Sequence, residues 1–272
     1  MLTERPSASL KGLAGGLIRS GLIALALLPV PAWSQQQNLT AGVRENAVVA
    51  NPDRPAPLSN EARADIYMAR KMYREAIETY LLDKKPSPVV LNKVGIAYHQ
   101  TGDLRTAERY YQKAIKAKPD YAEAINNLGT IQYAKKSYRR AVSTYKKALK
   151  YSPNSASIHS NLGTAWFARK KYQQAMECYE RAMAIDPDVF EHRSTTGVLL
   201  QERSVAERAK FHYYLAKAYA KQGRQDLALL YIRKSLEEGF KDRAKYMEEA
   251  EFAQLRTLPE FELLMKLEPR VL

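Results

Sequence analysis

The sequence predicts an all-α protein, an α-solenoid of stacked helix-turn-helix units. Three observations predict it. Five sets of residues recur every 34 positions: Gly95, Gly129 and Gly163; Ala107, Ala141 and Ala175; Tyr111, Tyr145 and Tyr179; Ala114, Ala148 and Ala182; Pro119, Pro153 and Pro187. Each Tyr lies four residues after its Ala, one turn along the same helix face. Each unit ends in a Pro, which cannot continue a helix. A repeat of this length buries its apolar faces only by stacking on its neighbours.

Within a unit, the Gly lets the first helix approach the second closely, the Ala receives that approach, and the Tyr fills the space beside it. A degenerate unit precedes these three in ARADIYMARKMYREAIETY, where Tyr67, Tyr73, Ala76 and Tyr80 fit the pattern. Another follows in YYLAKAYAKQGRQDLALLYIRKSLEEGF, with Ala216, Tyr219, Gly223 and Ala228 in the matching places. Ala175 and Ala228 are 53 apart, so an insertion of about nineteen residues lies within 188–208, with Thr195 to Arg203 as the candidate extra helix. Residues 243–272 read as a helical cap. Phe252, Leu255, Leu258, Phe261, Leu264 and Leu267 stand at helical spacing to cover the last repeat.

The stretches NKVGIAYHQTGDLRTAERYYQKAIKAKP, NNLGTIQYAKKSYRRAVSTYKKALKYSP and SNLGTAWFARKKYQQAMECYERAMAIDP resemble tetratricopeptide repeats. The resemblance covers roughly residues 60–242 and is tightest over 88–187. It extends to exported bacterial proteins of this repeat class. It implies a right-handed solenoid over 59–242, with the first helix of each pair lining a concave groove. Carried over, three rows face that groove: Asn92, Asn126 and Ser160; Ile96, Thr130 and Thr164; His99, Tyr133 and Phe167. Amide, hydroxyl and aromatic groups together suit an extended peptide or a partner helix. The basic clamp with which chaperone-binding relatives hold a C-terminal carboxylate is not matched here, because Asn92 and Asn126 stand without the corresponding Lys and Arg. Lys217 and Lys221, four apart on the last unit's helix, form a candidate anion contact.

The N-terminus reads as a targeting segment. Arg5, Lys11 and Arg19 precede the short apolar stretch GLIALALLPV, and Ala32-Trp33-Ser34 supplies small residues for cleavage. Residues 1–34 are therefore expected to be a cleaved signal peptide and 35–58 a flexible leader. The mature chain is expected in the periplasm or outside the cell, without a transmembrane span, since no apolar run approaches the roughly 20 residues that a span needs.

Composition narrows the function classes. The 272 residues hold 1 Cys, which excludes an internal disulfide framework. There are 43 Lys+Arg against 29 Asp+Glu, a formal charge of +14. Residues 88–155 alone carry +9. Arg109, Lys113, Lys116, Lys146, Lys147 and Lys150 are expected to face outward from the second helices. The histidines His99, His159, His192 and His212 form no metal-site spacing. No Gly-rich phosphate loop and no nucleic-acid motif is present in the repeats. The expected function is a non-catalytic scaffold binding a peptide or protein segment in the groove, in an envelope assembly, with no cofactor, metal or nucleic acid. The alternatives are a basic surface that holds acidic envelope glycan or lipid, and an accessory subunit of an envelope enzyme.

Overall fold

The computed structural model describes residues 57–191 and 204–268. The expected signal peptide, most of the leader and the candidate helix Thr195–Arg203 lie outside the described residues. Those described contain helices and turns and no strand.

Four helix pairs follow one another: α1 (Asn60–Ala69) with α2 (Tyr73–Tyr80), α3 (Pro88–Gln100) with α4 (Leu104–Ala117), α5 (Ala122–Ala134) with α6 (Tyr138–Tyr151), and α7 (Ala156–Ala168) with α8 (Tyr172–Ile185). A fifth pair, α9 (Val205–Lys221) and α10 (Gln225–Glu237), comes after the undescribed stretch. Each helix packs on its pair partner and then on the first helix of the next pair. The helix starts are written into the sequence. Ser59, Ser87, Asp103, Ser155 and Ser204 each accept a backbone N–H of the first turn of the helix that follows. Pro88 and Pro259 occupy first-turn positions, where the missing N–H costs nothing.

The core runs along the stack as a column of Tyr and Ala. Tyr80, Tyr111, Tyr145 and Tyr179 are buried, each four residues after a buried Ala. The sequence assigned the close approach at Gly95, Gly129 and Gly163 to the alanines of the second helix. The structure instead sets the Tyr ring over the glycine. A Cβ built on each glycine would stand 2.6, 2.6 and 2.4 Å from Cε1 of Tyr111, Tyr145 and Tyr179. In the last pair Ala216 takes the Gly position and Ile232 the Tyr position, both buried. With no ring to accommodate, a methyl group fits.

Two stretches differ from expectation. Helix α9 begins at Val205, inside the stretch read as insertion, and so carries an extra turn relative to α3, α5 and α7. The C-terminal cap is not one helix. It consists of α11 (Ala244–Glu248), two short 3-10 turns at Ala250–Phe252 and Leu255–Thr257, and α12 (Pro259–Met265). Pro259 accounts for the last of these breaks, just before α12. Phe252, Leu255, Phe261 and Leu264 are still buried against the last pair, so the cap covers the stack as expected, by a different backbone.

Candidate functional site

The first helices of successive units also meet one another directly, along one side of the stack. α3 touches α5 and α5 touches α7, whereas no two second helices are in comparable contact. Side-chain amides lace this side together. Asn127 on α5 donates to Oδ1 of Asn92 on α3 at 3.0 Å, and Asn161 on α7 donates to Oδ1 of Asn126 on α5 at 3.0 Å. One unit earlier the matching position is Lys93, whose Nζ bonds Glu61 and Asp65 of α1 at 2.8 and 2.7 Å. Burial lowers the pKa of Lys93, and the two carboxylates that bond it outweigh that and hold it above the usual lysine range. Asn92 also donates to Glu123 at 2.9 Å.

These bonds correct the reading of the groove rows. Asn92, Asn126, Ser160, Thr164 and Phe167 are buried. The Asn92 and Asn126 amides hold one helix to the next, while Thr164 donates within α7 to the Ser160 carbonyl at 2.9 Å. A first helix touches its own pair partner and the units on either side, so few of its positions remain open. Ile96, His99, Thr130 and Tyr133 are partly open and lie together on α3 and α5. The Thr130 hydroxyl sits 3.2 Å from that of Tyr145, and the Tyr133 ring packs 5.1 Å from Tyr138. Burial holds His99 below the ordinary histidine range, which keeps its imidazole neutral near pH 7. Asn127 and Glu123 complete this open patch. Sequence reasoning passed over both, although the Asn126-Asn127 doublet was visible.

Beyond α7 the joint between units changes character. Tyr213 and Tyr214 occupy the places of Ser160 and Asn161. Phe167, Tyr172, Phe211 and Tyr214 form an aromatic cluster in which Tyr172 and Tyr214 stack at 5.0 Å. The amide lacing therefore ends where the sequence register shifts.

Lys217 and Lys221 both face carboxylates of the chain itself. Lys217 is 3.1 Å from Glu249 and 3.4 Å from Glu251, and Lys221 is 2.8 Å from Glu180. These carboxylates are far away in sequence, so the four-residue spacing could not reveal them. Arg109, Lys113, Lys116, Lys146, Lys147 and Lys150 are exposed. Cys178 is half-buried against Gly163, and burial pushes its thiol up to about 12, which leaves it protonated at neutral pH. Among the described residues no three His, Cys, Asp or Glu side chains form a group able to hold a metal ion, and no helix is long and apolar enough to cross a membrane.

Comparison with known proteins agrees with the geometry. Models described as tetratricopeptide repeat match residues 89–121 and 156–189, and one described as TPR repeat matches 129–168. No curated protein matches. Among solved structures, YrrB, titled a TPR protein with an unusual peptide-binding site, is 20% identical over 47% of this chain and 68% of its own, with a TM-score of 0.43. MamA is 22% identical over 67% of this chain and 97% of its own, with a TM-score of 0.45. MamA from Desulfovibrio magneticus RS-1 is 19% identical over 66% and 92%, with a TM-score of 0.47. The 34-residue register of the pairs α3–α4, α5–α6 and α7–α8, each with a Tyr ring on a Gly, and three repeat models falling on those same pairs identify them as tetratricopeptide repeats.

Proposed function

We propose that the chain is a non-catalytic scaffold that holds a protein or peptide segment along its first-helix side, over α3 and α5. One observation carries this reading. On that side the amide bonds fix α3, α5 and α7 relative to one another, and Ile96, His99, Thr130 and Tyr133 stand partly open near Asn127 and Glu123. A rigid surface offering aromatic, hydroxyl, amide and carboxylate groups in rows binds an extended chain at low ordering cost. The setting we propose is the periplasm or the cell exterior, on the signal peptide read from residues 1–34, where the scaffold serves an envelope assembly.

The test is affinity capture from the native envelope with the mature chain as bait, followed by mass spectrometry. The variant His99→Ala/Tyr133→Ala removes open side chains and leaves the buried asparagines intact. A partner held by the wild type and lost by this variant supports the groove. Undiminished capture by the variant rules the groove out.

A further inference from the structure

Between Glu123 and Glu177 the chain has ten Lys and Arg residues and no Asp or Glu. Seven of the ten are drawn together by the fold. Lys135, Lys136, Arg139 and Arg140 belong to the α5–α6 turn and the start of α6, and Arg169, Lys170 and Lys171 belong to the α7–α8 turn. These are neighbouring turns on one edge of the stack. Five of the seven line a single recess: Lys136, Arg139, Arg140, Arg169 and Lys171. Lys135 is paired with Glu108. None of the five lining cations has an ion pair among the described residues, and Arg169 lies only against the Trp166 ring, 4.8 Å from its centroid.

Two features of this edge run against folding stability. Helices α1, α2, α5, α9 and α10 begin with an acidic residue in the first turn, as the helix dipole favours. Helix α6 begins with Arg139 and Arg140 and no acid, and α8 has no acid and follows Lys171. Neither has a side-chain cap. Lys136 and Lys170 also adopt left-handed backbone, with φ of 58° and 59°, as Lys71 does in the α1–α2 turn, at the position where the pair α3–α4 has Gly102 and the pair α9–α10 has Gly223. A cation in that conformation is less stable than glycine. The fold alone gives no reason to place positive charge here.

We propose that this edge is a second docking surface, which takes an acidic protein segment into the recess lined by Arg139, Arg140, Arg169 and Lys171. Three of these four are arginines, whose planar forks bind carboxylates bidentately. The cations border one open recess, with Arg169 partly buried, and a segment with spaced carboxylate side chains can meet several of them at once. The inference extends the scaffold reading to a different face, and separate variants test the two faces.

The test measures fluorescence anisotropy of a labelled oligoglutamate peptide with the full chain, and oligoglutamine serves as the neutral control. The edge variant Arg139→Glu/Arg140→Glu/Arg169→Glu is compared with Lys146→Glu/Lys147→Glu/Lys150→Glu, which changes the net charge equally on the outer face of α6. The edge variant is expected to weaken oligoglutamate binding about tenfold or more, and the outer variant by less than about threefold. The neutral set Arg139→Gln/Arg140→Gln/Arg169→Gln, with unchanged circular dichroism, should fall between wild type and the edge variant. Equal weakening by the edge and outer variants overturns the proposal, as does wild-type binding no tighter than to oligoglutamine. Edge-dependent binding of phosphatidylglycerol vesicles or single-stranded DNA that is tighter than that of oligoglutamate overturns it as well.

Discussion

Replacing Gly129 by Ala should destabilise the chain, although alanine is the better helix former. The new Cβ would lie 2.6 Å from Cε1, 2.8 Å from Cδ1 and 3.0 Å from Cζ of Tyr145. Carbon atoms in good contact are about 3.5–4.0 Å apart, so the ring must retreat by about 1 Å. It has nowhere to go. Tyr145 is fully buried among Ile125, Val142, Ile158 and Leu162, and its hydroxyl is held by Thr130. Overpacking of this kind costs about 1–3 kcal/mol. The gain in helix propensity returns about 1 kcal/mol. A net loss of up to about 2 kcal/mol follows, a fall in Tm of up to roughly 8 °C for a body of this size. The terminal first pair carries Ala64 at the equivalent place beside Tyr80. No unit before it restrains that pair among the described residues, whereas α5 and α6 are held between α4 and α7. Urea unfolding followed by circular dichroism measures the effect, and a double-mutant cycle with Tyr145→Leu isolates it. In the Tyr145→Leu background the alanine should be neutral or stabilising. If Gly129→Ala stabilises the otherwise unaltered chain by about 1 kcal/mol, propensity alone governs the site and the ring-on-glycine account is wrong.

Two further outcomes follow from the same structure. Lys136→Gly should stabilise by about 0.5–1 kcal/mol and Gly102→Lys should destabilise by about as much, since both sit at the left-handed turn position; thermal melts that show no difference of opposite sign would refute the strain. Stability should also fall with pH in the histidine range. Burial lowers His99, and burial outweighs the neighbouring Glu238 to lower His212, which also faces Lys234, Arg208 and Tyr231. The unfolded chain then binds more protons than the folded one, so this contribution is complete above about pH 6.5 and is lost as pH drops through the lowered values. Melts at pH 7.5 and pH 5 should show the loss, and His99→Gln/His212→Gln should reduce it.

The repeat was legible because packing imposes it. One ring must fit one gap in every unit, so Gly95, Tyr111 and their counterparts recur in step. The end of the register at Pro187 was equally visible, since the spacing to Ala228 breaks the interval. The binding side was less legible. A 34-residue rhythm marks Asn92 and Asn126 as equivalent but does not say whether their amides face a ligand or another helix. That depends on α3, α5 and α7 meeting, a contact between residues 35 apart. The pairing of Lys217 and Lys221 was hidden for the same reason. Pro259, by contrast, was in plain view, and its inability to sit within a helix explains the break just before α12.

The account rests on the first-helix side being where a partner lies. Hydroxyl-radical footprinting of the full chain, alone and with its captured partner, tests this directly. Labelling of His99 and Tyr133 should drop on binding, while the exposed Tyr151 at the end of α6 keeps its reactivity. Protection at Tyr151 with His99 and Tyr133 unchanged would contradict the account.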